Sequence, residues 1–70
     1  MRLRVLVMSL HEERTVVGRF VIEAASIAAL LGSGEISRRF DGRAYDSLTI
    51  MRDETAELTP ADHIEVLTVQ

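Results

Sequence analysis

The chain has 70 residues, room for one domain, and a domain this small buries only about 60% of the surface that its unfolded chain exposes. With 47% hydrophobic residues and no cysteine it is neither a disordered chain nor a disulfide or thiolate-metal scaffold. The net charge of −3 argues against nucleic acid as the principal partner, because that binding depends on neutralising phosphates.

Residues 2–10 (RLRVLVMSL) form the clearest strand. Leu3, Val5 and Val7 point one way and Leu6, Met8 and Leu10 the other, since side chains alternate across a strand. Apolar residues on both faces suit a central strand. Charge interrupts the apolar stretch at Arg4 and no small-residue cleavage site follows, so the segment reads as a strand rather than a secretory signal. His11-Glu12-Glu13-Arg14 suits a hairpin loop. Residues 15–22 (TVVGRFVI) are rich in β-branched and aromatic types and read as a second strand. Gly18 within it marks a bulge or a close backbone approach.

From Ala25 to Leu31 (ASIAALL) the character changes to helix. Ser26 suits the N-cap, and Ile27, Leu30 and Leu31 share one face. Gly32 or Gly34 closes the helix. About two turns cannot persist alone, so packing on a sheet must hold them. Ile36–Phe40 and Arg43–Leu48 read as a short hairpin around Asp41-Gly42, a dipeptide suited to two-residue turns. Residues 49–58 read as a polar crossing loop, 59–62 as a turn and 63–69 as the final strand. Leu30 and Val66 are expected to be buried between helix and sheet.

The candidate chemistry is sparse. His11-Glu12-Glu13 lacks a second histidine at metal-ligand spacing, and His63 beside Asp62 lacks a nucleophile. Gly32-Ser33-Gly34 could cradle a phosphate, but no Lys-Ser/Thr follows and the chain has no lysine at all. Asp46, Asp53, Glu54 and Glu57 lack the spacing and central glycine of a calcium loop. Seven of the eight arginines fall in residues 1–43, and six of the eleven acids in residues 44–70. The C-terminal part could therefore present an acidic face. Arg38, Arg39 and Arg43 form the one basic cluster and are the candidate partner-binding residues. No catalytic, cofactor-binding or metal residue is assigned, and no cofactor is expected.

The order of elements, with Ser26 to Leu31 as a helix start, Phe40-Asp41-Gly42-Arg43 as a middle turn and Leu58 to Leu67 as a last turn and strand, resembles the ubiquitin-like (β-grasp) family. The resemblance implies a single α+β domain over residues 1–70. It would be a β-grasp with a mixed sheet of four to five strands, one short helix across one face, and the first and last strands parallel in the middle. A small α+β sandwich of another topology and a swapped β dimer are the rival folds. Carriers and modifiers of the family act through a terminal Gly-Gly carboxylate, whereas this chain ends Thr68-Val69-Gln70, so carrier activity is not expected. The resemblance then implies a non-enzymatic, cytoplasmic interaction module or accessory subunit, like the tail-less bacterial members that serve secretion or monooxygenase complexes. The alternative is a sulfur carrier or protein modifier truncated before its glycines. The expected partner is a protein, with no nucleic acid and no membrane insertion; a homodimer through an exposed strand edge is also open.

Overall fold

Alternation along the first strand decides the architecture. The computed structural model describes residues 1–9, 15–40 and 45–66. Strand β1 (Arg2–Ser9) buries every second residue, and Leu3, Val5 and Val7 have no exposed surface. It pairs antiparallel with β2 (Thr15–Glu23) on one edge and β3 (Ser47–Arg52) on the other. Among the described residues this is a three-stranded antiparallel sheet of order β2-β1-β3. Val5 lies between Phe20 and Ile50, and Val7 between Gly18 and Leu48. Leu3, Val5, Val7, Phe20, Ile22, Leu48 and Ile50 thus share one face, which the helices cover.

Helix α1 (Ile27–Gly32) starts as expected, with Ser26 Oγ accepting the Ala29 N–H at 3.0 Å. Of its three large apolar residues only Leu30 is buried; Ile27 and Leu31 are 43% and 54% exposed. The chain turns at Ser33-Gly34 into a second helix, whose side chains take the remaining room over the sheet. That helix, α2 (Glu35–Arg39), replaces the strand expected at Ile36–Phe40. Ile36 and the capping residue Phe40 are four apart, so one helical face drives both into the core. Gly34, at φ 75°, makes the left-handed entry that non-glycine residues rarely adopt. Glu35 in the first turn and Arg38 and Arg39 in the last complement the helix dipole.

Two further boundaries differ from the sequence reading. β3 occupies Ser47–Arg52, where residues 49–52 were expected in a loop. The Asp46 N–H donates to the Met8 carbonyl (3.1 Å) and the Asp53 N–H to that of Arg2 (2.9 Å), so the β1 ladder brackets this strand at both ends. Among the described residues the expected final strand meets the sheet at one antiparallel bridge, Arg19 to Glu65, on the outer edge of β2. Both edges of β1 are taken by β2 and β3, so among the described residues 64–66 do not make the parallel pairing expected between 3–8 and 64–69. Ile64, not Val66, supplies the inward apolar group, and Val66 is 54% exposed. The Asp41-Gly42 turn, Arg43, the 11–14 loop and residues 67–70 lie outside the described residues.

Gly18 is both things the sequence suggests. The β1–β2 register shifts between Val7 and Met8, which pair with Gly18 and Val16 and leave Val17 over. A Cβ at Gly18 would lie 2.9 Å from Phe40 Cε1, 3.1 Å from the Glu65 carbonyl and 3.1 Å from Ile64 Cγ2. Only a residue without a side chain admits α2 and the C-terminal segment together. Gly18→Ala should lower the urea midpoint by the equivalent of ~1–3 kcal/mol through overpacking, with the largest amide-shift changes at residues 40 and 64–65. An unchanged midpoint would show the approach to be loose.

Arginines tie residues 53–65 to the sheet. Arg2 Nη1 donates to the Ala56 carbonyl (2.8 Å), and Arg4 Nε and Nη2 donate to Asp53 Oδ2 (3.2 and 3.0 Å). Thr59 exchanges bonds with Val21: its N–H donates to the Val21 carbonyl (2.9 Å) and its Oγ1 accepts the Val21 N–H (2.8 Å). Arg19 grips Glu65 with both arms of its fork (3.0 and 2.8 Å), while its N–H donates to the Glu65 carbonyl (2.9 Å). The Arg19 hydrogen bond holds the Glu65 carboxyl below its ordinary value. The Thr55 hydroxyl and then Arg4 do the same for Asp53. A depressed carboxyl contributes stability that is present above its unfolded pKa and lost as pH falls through the folded one. The contribution of these pairs should therefore be lost from about pH 5 to about pH 3, and stability should fall by less in Glu65→Gln. Urea melts across that interval would check it; equal losses in both proteins would remove Glu65 from the account.

Candidate partner-binding site

Arg38 and Arg39, adjacent in sequence, have opposite environments because consecutive helical residues point about 100° apart. The Arg38 side chain is 69% exposed and donates to Glu35 Oε1. That of Arg39 is 8% exposed, and its guanidinium carbon lies 4.5 Å from the centre of the Phe20 ring. Arg39 Nε is 3.6 Å from Glu35 Oε2, beyond hydrogen-bond reach. Both Nε and Nη1 of Arg39 are buried without a hydrogen-bond partner among the described residues. Arg43, the third residue of the candidate cluster, lies outside the described residues.

The two arginines line a recess of about 370 Å³ between α2 and the segment after Pro60, with Glu35, Ala61, Asp62 and Ile64 completing its walls. Burying a guanidinium costs several kcal/mol in lost hydration. The stack on Phe20 returns about 0.5–2 kcal/mol, and Glu35 divides its carboxylate between two arginines. A buried cation short of acceptors calls for a reason other than stability.

The other candidates have local structural roles. Ser33 Oγ donates to the Leu30 carbonyl (2.7 Å) and accepts the Glu35 N–H (3.2 Å), so Gly32-Ser33-Gly34 is the joint between the helices. His63 is exposed, and its N–H closes a turn on the Pro60 carbonyl (3.0 Å). Glu54 accepts from Arg52 Nε (2.9 Å), which holds its carboxyl below the ordinary value. With Asp53 and Glu65 also paired to arginines, the expected acidic C-terminal face is partly neutralised. Among the described residues no group of three or more His, Cys, Asp or Glu side chains is placed to hold a metal ion. His11-Glu12-Glu13 lies outside them.

Reading the sequence singled out the arginines but not Glu35, Phe20 or the 61–64 wall. The signal for Glu35 was present as Glu35-x-x-Arg38-Arg39, the i,i+3 and i,i+4 spacing of helical ion pairs; assigning a strand there hid it. Compared with protein-family models, curated proteins and solved structures, the chain matches none.

Replacing a buried, under-paired ion with an apolar group of similar length is often neutral or stabilising. Arg39→Met should therefore melt in urea at the wild-type midpoint or above it. A large drop would make Arg39 a structural clamp on Phe20 instead.

Proposed function

We propose that this chain is a non-enzymatic protein-interaction module, an accessory subunit that docks onto a larger protein through the recess beside α2. The observation that carries the reading is Arg39, a guanidinium held inside the domain with two donors unmet. Selection for folding alone favours filling such a position with an apolar residue; binding is what would retain the charge. Ile27 and Leu31, one turn apart on the outward side of α1, add large apolar groups at the surface. Among the described residues no helix is long and apolar enough to cross a membrane, and a cytoplasmic setting belongs to the same proposal.

The ubiquitin-like reading stands here only as far as the β-β-α order of the first half, with Leu30 packed on one sheet face. A second copy of the chain is the other occupant that an observation favours. The outer edge of β3 has no ladder partner among the described residues, and Met51 on that strand is 48% exposed.

Capture on the immobilised chain from an extract of its source, followed by calorimetry with the purified captured protein, tests docking. Wild type should bind that protein, and Arg39→Met, still folded, should lose most of the affinity. Equal affinity of the two would move the site elsewhere. A concentration-dependent doubling of mass, abolished by Met51→Lys, which puts a charge on the exposed edge strand and leaves the β1–β3 ladder intact, would favour the second copy.

A further inference from the structure

We propose that the recess receives a carboxylate from an acidic segment of the partner protein, and that Glu35 holds that carboxylate's place in the free chain; this rests on the docking reading above. Two guanidiniums, Arg38 and Arg39, share the one carboxylate of Glu35. Arg38 already holds Oε1, whereas Oε2 approaches Arg39 Nε only to 3.6 Å. Glu35 is thus bound well at the exposed arginine and poorly at the buried one. An incoming carboxylate can displace it from Arg39 with little loss, because Arg38, whose side chain is 69% exposed, can carry Glu35 outward as it moves.

The incoming group completes what the fold leaves open. The planar guanidinium, pinned against Phe20 at 4.5 Å, is already oriented, so little rotamer entropy is lost when an acceptor arrives. Hydrogen bonds between a guanidinium and a carboxylate are about twice as strong as neutral ones, and the buried setting strengthens them further. Asp62, on the opposite wall, faces the incoming anion with like charge. It sets a direction: the ligand's carboxylate lies toward α2 and its N–H or cationic groups toward Asp62. A carboxylate within a peptide satisfies both walls, whereas a free phosphate meets Asp62 with charge alone.

The test is a titration of the isotope-labelled chain with an end-blocked oligoglutamate peptide, and with oligoglutamine as control, followed by NMR. The Arg39 Nε–H and the amides of 61–64 should shift with oligoglutamate and not with oligoglutamine. The protein's net charge of −3 opposes non-specific binding of a polyanion. Arg39→Met should abolish the response. Glu35→Gln, which removes the internal competitor, should tighten binding severalfold. Asp62→Asn, on an exposed turn with little bearing on folding, keeps an acceptor for the ligand's N–H groups, removes the like charge and should also tighten binding.

Binding unchanged or weaker in Glu35→Gln, or a Glu35 side-chain carboxyl resonance that oligoglutamate leaves unmoved in the wild-type chain, would overturn the placeholder role. A response to inorganic phosphate but not to oligoglutamate, at matched ionic strength, would overturn the carboxylate assignment. No response at Arg39 to oligoglutamate would also overturn it, while leaving docking itself to the captured partner's calorimetry.

Discussion

The ring of Phe20 is the contact on which the rest of the molecule depends. It projects from β2 opposite Val5 and is almost wholly buried. The Phe40 ring packs against it at 6.0 Å between centroids, and Tyr45 meets Phe40 edge-on at 6.2 Å. Helices of six and five residues have no stability of their own. This aromatic stack, with Leu30 and Ile36 beside it, is what keeps them helical and over the sheet. Because Arg39 immediately precedes Phe40, the same packing that buries Phe40 carries a guanidinium onto the Phe20 ring. The recess is therefore a by-product of the core: its position follows from the packing, and its walls from the segment that Gly18 lets close in.

What could be read from the chain in advance was whatever local pattern determines. The alternation of β1, the β-branched run of β2 and the Ser26 cap depend on neighbouring residues, and Gly18 stands out by its missing side chain alone; each has its expected place. The α2 segment is harder because Ile36 and Phe40, four apart, satisfy a strand's period of two as well as a helix turn. Neighbouring Asp41-Gly42 tilts that choice toward a hairpin. The path of residues 53–65 was illegible for a different reason. It is set by pairs such as Arg19–Glu65, 46 positions apart, and nothing in the spacing of charges along a chain names such partners. The final strand expected over 63–69 is, among the described residues, a single bridge at Glu65 on β2, because the second edge of β1 is already occupied. The half-buried pattern of β3, with Leu48 and Ile50 inward and Thr49 and Met51 outward, shows that β3 filled it.

The candidate site shows the same division. Adjacent arginines were visible as a basic cluster, and their separation into one solvated and one buried side chain was not. That difference comes from helical rotation and from Phe20, a residue on another element. Electrostatics alone would have ranked Arg38 first. Burial reverses the order, because a solvated charge has water for a partner and a buried one has only what the protein or its ligand supplies.

Among the described residues, the ion pairs that hold residues 53–65 against the sheet are all made by guanidinium groups, and this has a consequence for chemical regulation. A chain without lysine offers no side-chain amine to acetyl transfer, so the acylating enzymes that neutralise lysine-built surfaces have nothing here to act on. Arginine keeps its positive charge when methylated but loses the N–H groups that make a two-armed grip. Methylation at Arg19 would thus leave the net charge untouched and still spoil the fork on Glu65. The C-terminal segment answers to the geometry of its donors more than to the sum of its charges.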